Sequence, residues 1–75
     1  MKGGIRLTKR EAEILRLLGH GCTYAQAGVA LGVSVHTVAS HLKTAYRKLD
    51  AHSAAGAVVR ALELRLIGRD RGGKS

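Results

Sequence analysis

The sequence predicts an all-α fold, a single bundle-like domain of four helices, and three observations predict it. Four hydroxyl residues, Thr8, Thr23, Ser34 and Ser53, each stand just ahead of apolar residues at helical spacing, where a side-chain oxygen can cap free backbone amides. Glycines follow those apolar runs at Gly19, Gly21, Gly32 and Gly68, where a helix can end. Proline is absent from all 75 residues, so nothing in the chain forces a helix to break.

In chain order, residues 1–6 (MKGGIR) read as a short flexible basic arm, with Ile5 available to anchor it. Thr8 and Glu11 then form a capping box that opens a first helix over 9–19, burying Ile14, Leu15, Leu17 and Leu18. Glu13 falls off that face and is expected in solvent. Thr23 and Gln26 form a second capping box, opening a helix over 24–31 that ends on Leu31 and Gly32. Ser34 caps a third helix over 35–49. Ser53 caps a fourth, over 54–67, which Gly68 is expected to end. Residues 68–75 form a basic tail that cannot fold alone, which leaves 7–67 as the domain.

The second and third helices carry the functional argument. A glycine turn joins them, and Ala27 and Gly28 are small where the two must cross. Along the third, Val38, Leu42, Ala45 and Leu49 recur at helical spacing and face inward. The opposite face holds His36, Ala39, Ser40, Lys43 and Arg47, with two permanent cations and no acid. This is a helix-turn-helix whose second helix suits a DNA major groove.

Charge agrees with that reading. The net charge is +8 and the isoelectric point is near 10.6, which calls for a polyanionic partner. No charged residue lies between Leu17 and Leu42, while Lys and Arg cluster on either side. A neutral centre flanked by cations suits base edges in the middle and phosphates at the flanks. Single-stranded nucleic acid is disfavoured, because its binders need stacking platforms and only Tyr24 and Tyr46 are aromatic.

Several functions are excluded. Cys22 is the only cysteine, so no internal disulfide forms, and a reducing cytoplasm, with the protein on the nucleoid, is the expected location. The histidines His20, His36, His41 and His52 lack the i, i+4 spacing of a helical metal site. No catalytic set stands out among Glu11, Glu13, Asp50, Glu63 and Asp70. Neither an enzyme, nor a metal, nor another cofactor is expected, and no apolar run is long enough to span a membrane.

The fourth helix carries more apolar surface than one small core needs. Ala54, Ala57, Val58 and Ala61 make one stripe, and Ala55, Val59, Leu62 and Leu66 make a second. A terminal helix with two apolar sides is expected to meet another molecule, here a second copy in a homodimer.

These landmarks together resemble the DNA-binding domain of LuxR/GerE-type bacterial regulators. The match rests on Leu7-Thr8, Arg10-Glu11, Leu15, Gly21, Leu31-Gly32-Val33-Ser34, Thr37-Val38, His41, Lys48-Leu49 and Ser53. The resemblance implies a sequence-specific, double-stranded-DNA-binding transcriptional regulator of the short stand-alone kind, with RNA polymerase as a candidate second partner. By position, it implies base contacts from Ala39, Ser40 and Lys43. It also implies phosphate contacts near Thr23, Ser34, His36, Thr37, His41 and Arg47. Of the base-reading positions only Lys43 can donate strongly to guanine, so direct readout looks thin.

Three positions depart from the family pattern. Lys9 replaces a proline, Ala27-Gly28 replaces a larger aliphatic followed by alanine, and Asp50 replaces a glycine at the third helix's exit. Ala27-Gly28 is expected to loosen the packing of the two central helices. Two rival readings remain: a domain like region 4 of a sigma factor, and an interaction module that pairs with a larger regulator through its last helix.

Overall fold

The computed structural model describes residues 4–68. Its four helices are α1 (Lys9–Gly19), α2 (Tyr24–Leu31), α3 (Val35–Leu49) and α4 (Ala54–Glu63). All four begin where the hydroxyl residues placed them. Thr8 and Thr23 accept from the amides of Glu11 and Gln26, whose side chains bond back to the cap amides at 2.8 Å in each case. Ser34 and Ser53 accept from Thr37 and Gly56. The expected bounds of α1, α2 and α3 agree with the structure.

All four helices also close the same way. The amide five residues past a carbonyl bonds back to it: Cys22 to Leu17, Val33 to Gly28, Ala51 to Tyr46, Leu66 to Ala61. This closure needs a left-handed residue just before that amide. Gly21 and Gly32 supply it at φ 96° and 71°, Asp50 at 55° and Arg65 at 59°.

Arg65 is where the sequence reading fails. The fourth helix stops at Glu63, four residues short of the expected end, and Gly68 does not terminate it. The left-handed turn at Arg65 swings the chain back, and Ile67 drops into the core at 5% exposure. Leu66 therefore lies beyond the helix, half-buried against the domain's own core.

That core joins all four helices: Ile14, Leu15, Ala27, Val38, Leu42, Ala45, Leu49, Ala57, Ala61 and Ile67. Leu17 and Leu18, expected inside, are half-buried around it. Ile5 and Leu7 pack on it too, so the anchor expected of Ile5 is present. Residues 1–3 of the arm, and the basic tail beyond Gly68, lie outside the described residues. Glu13, expected in solvent, pairs with Arg10 at 3.4 Å and stays partly exposed.

The expectation that Ala27-Gly28 loosens the central pair is overturned. Ala27 is fully buried, and a Cβ at Gly28 would lie 2.7 Å from the Val33 carbonyl oxygen. The turn has closed onto the bare glycine, and a side chain there would force it open. The small pair thus permits a tight crossing of α2 and α3.

Candidate nucleic-acid interface

α3 is fixed from below by Val38, Leu42, Ala45 and Leu49, each 0–1% exposed. Helical geometry then sends the residues between them outward. His36, Ala39, Ser40, Lys43 and Arg47 are all exposed along that outer face. The structure thus brings the three expected base-reading residues together with His36 and Arg47. Thr37 and His41 are half-buried on the flank of the helix, with less side chain available.

Thr23 and Ser34 sit at the starts of α2 and α3, both exposed. Their oxygens already accept cap amides, and Ser34 Oγ lies 3.1 Å from Thr37 Oγ1. The Thr23 hydroxyl keeps its proton to donate outward. Both helix starts carry partial positive charge and no acidic residue in the first turn, which suits an approaching phosphate.

Two further contacts, between residues far apart in sequence, set how α3 sits. Lys48 Nζ, near its end, bonds Glu11 Oε1 at 2.8 Å, the oxygen that also caps Thr8. Glu11 is 2% exposed. Burial alone would push its carboxyl up, but the Lys48 ammonium and the Thr8 amide outweigh this and hold it below its ordinary value of 4.5. Lys48 is thereby engaged inside the domain, unlike its neighbour Arg47.

Tyr24 and Tyr46 make the second contact, with hydroxyl oxygens 2.7 Å apart, joining the start of α2 to the last turns of α3. Burial, with the bond from Tyr24, raises the Tyr46 phenol above its ordinary range. In the sequence Glu11 stands out only as a cap and the tyrosines only as scarce aromatics. Pairs 37 and 22 residues apart carry no local signal.

Among the described residues no three His, Cys, Asp or Glu side chains come together to hold a metal ion, and no helix is long and apolar enough to cross a membrane.

A model of the bacterial regulatory proteins of the luxR family (GerE) matches residues 6–61. The chain belongs to that family. Its fold and motif place it as the DNA-binding domain of a LuxR-family transcriptional regulator, which sets aside the sigma-like alternative. It is 42% identical over 61 residues to the transcriptional activator protein CarR of Pectobacterium carotovorum, covering 81% of this chain and 25% of CarR. It is 47% identical over 62 residues to RpaR of Rhodopseudomonas palustris, an HTH-type quorum-sensing-dependent transcriptional regulator, covering 83% and 26%. The chain thus spans about a quarter of either relative's length.

Solved structures share the fold. The transcription factor GerE superimposes with a TM-score of 0.77 at 29% identity, over 83% of this chain and 92% of that one. The response regulator ChrA, of a heme-sensing two-component system, gives 0.81 at 36% identity, over 88% and 33%.

Proposed function

We propose that the chain binds double-stranded DNA in a sequence-specific manner, with α3 in the major groove and two copies paired through α4. The observation that carries the reading is the outer face of α3. It is rigidly held, fully polar or small, free of acid, and bears Lys43 and Arg47. In this arrangement Ala39, Ser40 and Lys43 face base edges. Thr23, Ser34, His36, Thr37, His41 and Arg47 lie along the phosphates. The rival use as an interaction module leaves the α3 face without a purpose.

The dimer would rest on less surface than the stripe of four implied. Ala55 and Val59 are exposed on α4, Val59 at 54%. Leu62 and Leu66 are half-buried in their own domain, and Leu66 is off the helix. Such a contact supports a weak pair that DNA completes. Two copies would read half-sites about one turn of DNA apart, roughly 34 Å. RNA polymerase is a second candidate partner.

Selection of bound duplexes from a random pool, followed by gel shift, tests this. Lys43→Ala should cost about 1–3 kcal/mol on the selected site and relax its preference, because Lys43 alone has the reach for a guanine. Arg47→Met should weaken selected and unrelated duplexes alike. The slope of log K against log salt should be about −0.9 per phosphate, with roughly four to eight phosphates met per dimer. A pool that yields no preferred sequence, or a flat salt response, would sink the reading.

A further inference from the structure

We propose that Tyr24 and Tyr46 together form a phosphate-gripping site, in which one phenol donates to the other and the second donates to the DNA backbone. The inference rests on the reading of α3 as the DNA-facing helix and adds a contact that the motif does not supply.

The geometry has three parts. Tyr24 is the first residue of α2, directly after the exposed Thr23, so it lies at the helix start that faces the backbone. Tyr46 precedes Arg47 and lies two turns of α3 beyond Ala39, on the same flank of the helix. Both rings pack against the core while remaining half-exposed, so their oxygens meet at the rim between α2 and α3.

The hydrogen-bond inventory then points outward. A phenol carries one proton and accepts through its oxygen. In a pair 2.7 Å apart one proton is shared between the rings, and the other has no acceptor among the described residues. A phosphate oxygen is the strongest acceptor that a DNA-binding face would bring to this rim. The inner bond polarises the outer hydroxyl and strengthens its donation. Burial keeps the Tyr46 phenol protonated well above neutral pH, so the donor persists wherever DNA is bound.

The charge character separates this contact from those of Lys43 and Arg47. A neutral hydroxyl displaces no condensed counterion, so it adds affinity without steepening the salt dependence. Because two helices hold it, it fixes how α2 and α3 sit on the backbone while reading no base.

The test uses Tyr24→Phe, Tyr46→Phe and the double variant, with Arg47→Met beside them. Phenylalanine keeps the ring, and circular dichroism with urea unfolding identifies conditions in which every variant is folded. Binding is measured on a duplex selected from a random pool, on an unrelated duplex, and on versions of the first with single methylphosphonates stepped along each strand. The expected result is about a three- to tenfold weakening of both duplexes by the double variant, with the salt slope unchanged. At one backbone position a methylphosphonate should weaken the wild type but no longer weaken the double variant. Phe variants that bind both duplexes like the wild type, or that show no such coupled position, would reduce the pair to a staple between helices. If Arg47→Met weakens binding while the Phe variants do not, only this inference falls. A wild type that binds neither duplex overturns the DNA reading along with it.

Discussion

α3 and α4 each leave one face uncovered, and the faces are opposite in kind. The outer face of α3 is polar and cationic; that of α4 presents the apolar Ala55 and Val59 beside Arg60 and Glu63. They are also held differently. Besides its buried aliphatic residues, α3 is tied by the Lys48–Glu11 ion pair and the Tyr46–Tyr24 hydroxyl pair. Among the described residues α4 is held by the burial of Ala57, Ala61 and the returning Ile67, and its Arg60–Glu63 ion pair, at 3.7 Å, is internal and exposed. The difference fits the partners proposed for the two faces. Hydrogen bonds and charges must be aimed to be useful, so a helix proposed to read DNA needs its rotation fixed by directional contacts. An apolar face works over a range of angles, so burial suffices.

The largest effect should come from breaking α3's anchor. Lys48→Met leaves the buried Glu11 carboxylate with only Thr8 as its hydrogen-bond partner, and should cost about 1–3 kcal/mol in urea unfolding at pH 7. Its pH dependence follows from the lowered Glu11 value. A carboxyl depressed in the folded state contributes stability that is complete above 4.5 and is lost as pH falls through the folded value. The wild type should therefore weaken progressively below about 4.5, and Lys48→Met should show a shallower acid dependence. Equal acid slopes would mean the ion pair does not anchor α3.

On α4 the comparison predicts the reverse pattern. Val59→Glu places a charge on a side chain already 54% exposed, so stability should change by no more than about 0.5 kcal/mol. Self-association, followed by sedimentation over a concentration series, should be lost, and binding to a palindromic duplex should weaken more than binding to a half-site. If Val59→Glu sediments like the wild type and binds both duplexes unchanged, α4 is not where two copies meet.

The sequence was most legible where structure is decided within a few residues. Thr8 with Glu11, Thr23 with Gln26, and the serines at 34 and 53 mark every helix start, because a cap and its amide lie three residues apart. The outer face of α3 was legible because four buried positions at helical spacing leave only one way to turn the rest. What was missed depends on distance or on tolerance. Lys48 meets Glu11 across 37 residues, and neither residue's neighbours announce the other. The stripe on α4 failed at Leu66 because helical spacing continues on paper past the point where the backbone has turned. The role of Gly28 is not legible locally because it depends on where the Val33 carbonyl comes to rest.

The smallest effect concerns the exits of the same two helices. Both end with a non-glycine residue in the left-handed region, Asp50 at φ 55° and Arg65 at 59°. For an L-residue with a Cβ this conformation costs about 1–2 kcal/mol, although Asp tolerates it better than most, since its short polar side chain can bond locally. Glycine removes that cost but adds roughly 0.5–1 kcal/mol of backbone entropy to be lost on folding. The balance should favour Arg65→Gly by about 0.5–1 kcal/mol and leave Asp50→Gly nearer to zero. Among the described residues neither side chain forms an ion pair or hydrogen bond that the change would remove. Urea midpoints of the two variants measure the difference directly. A larger gain at Asp50 than at Arg65 would mean that the α3 exit is the more strained of the two, and that directional anchoring of α3 is maintained against its own backbone.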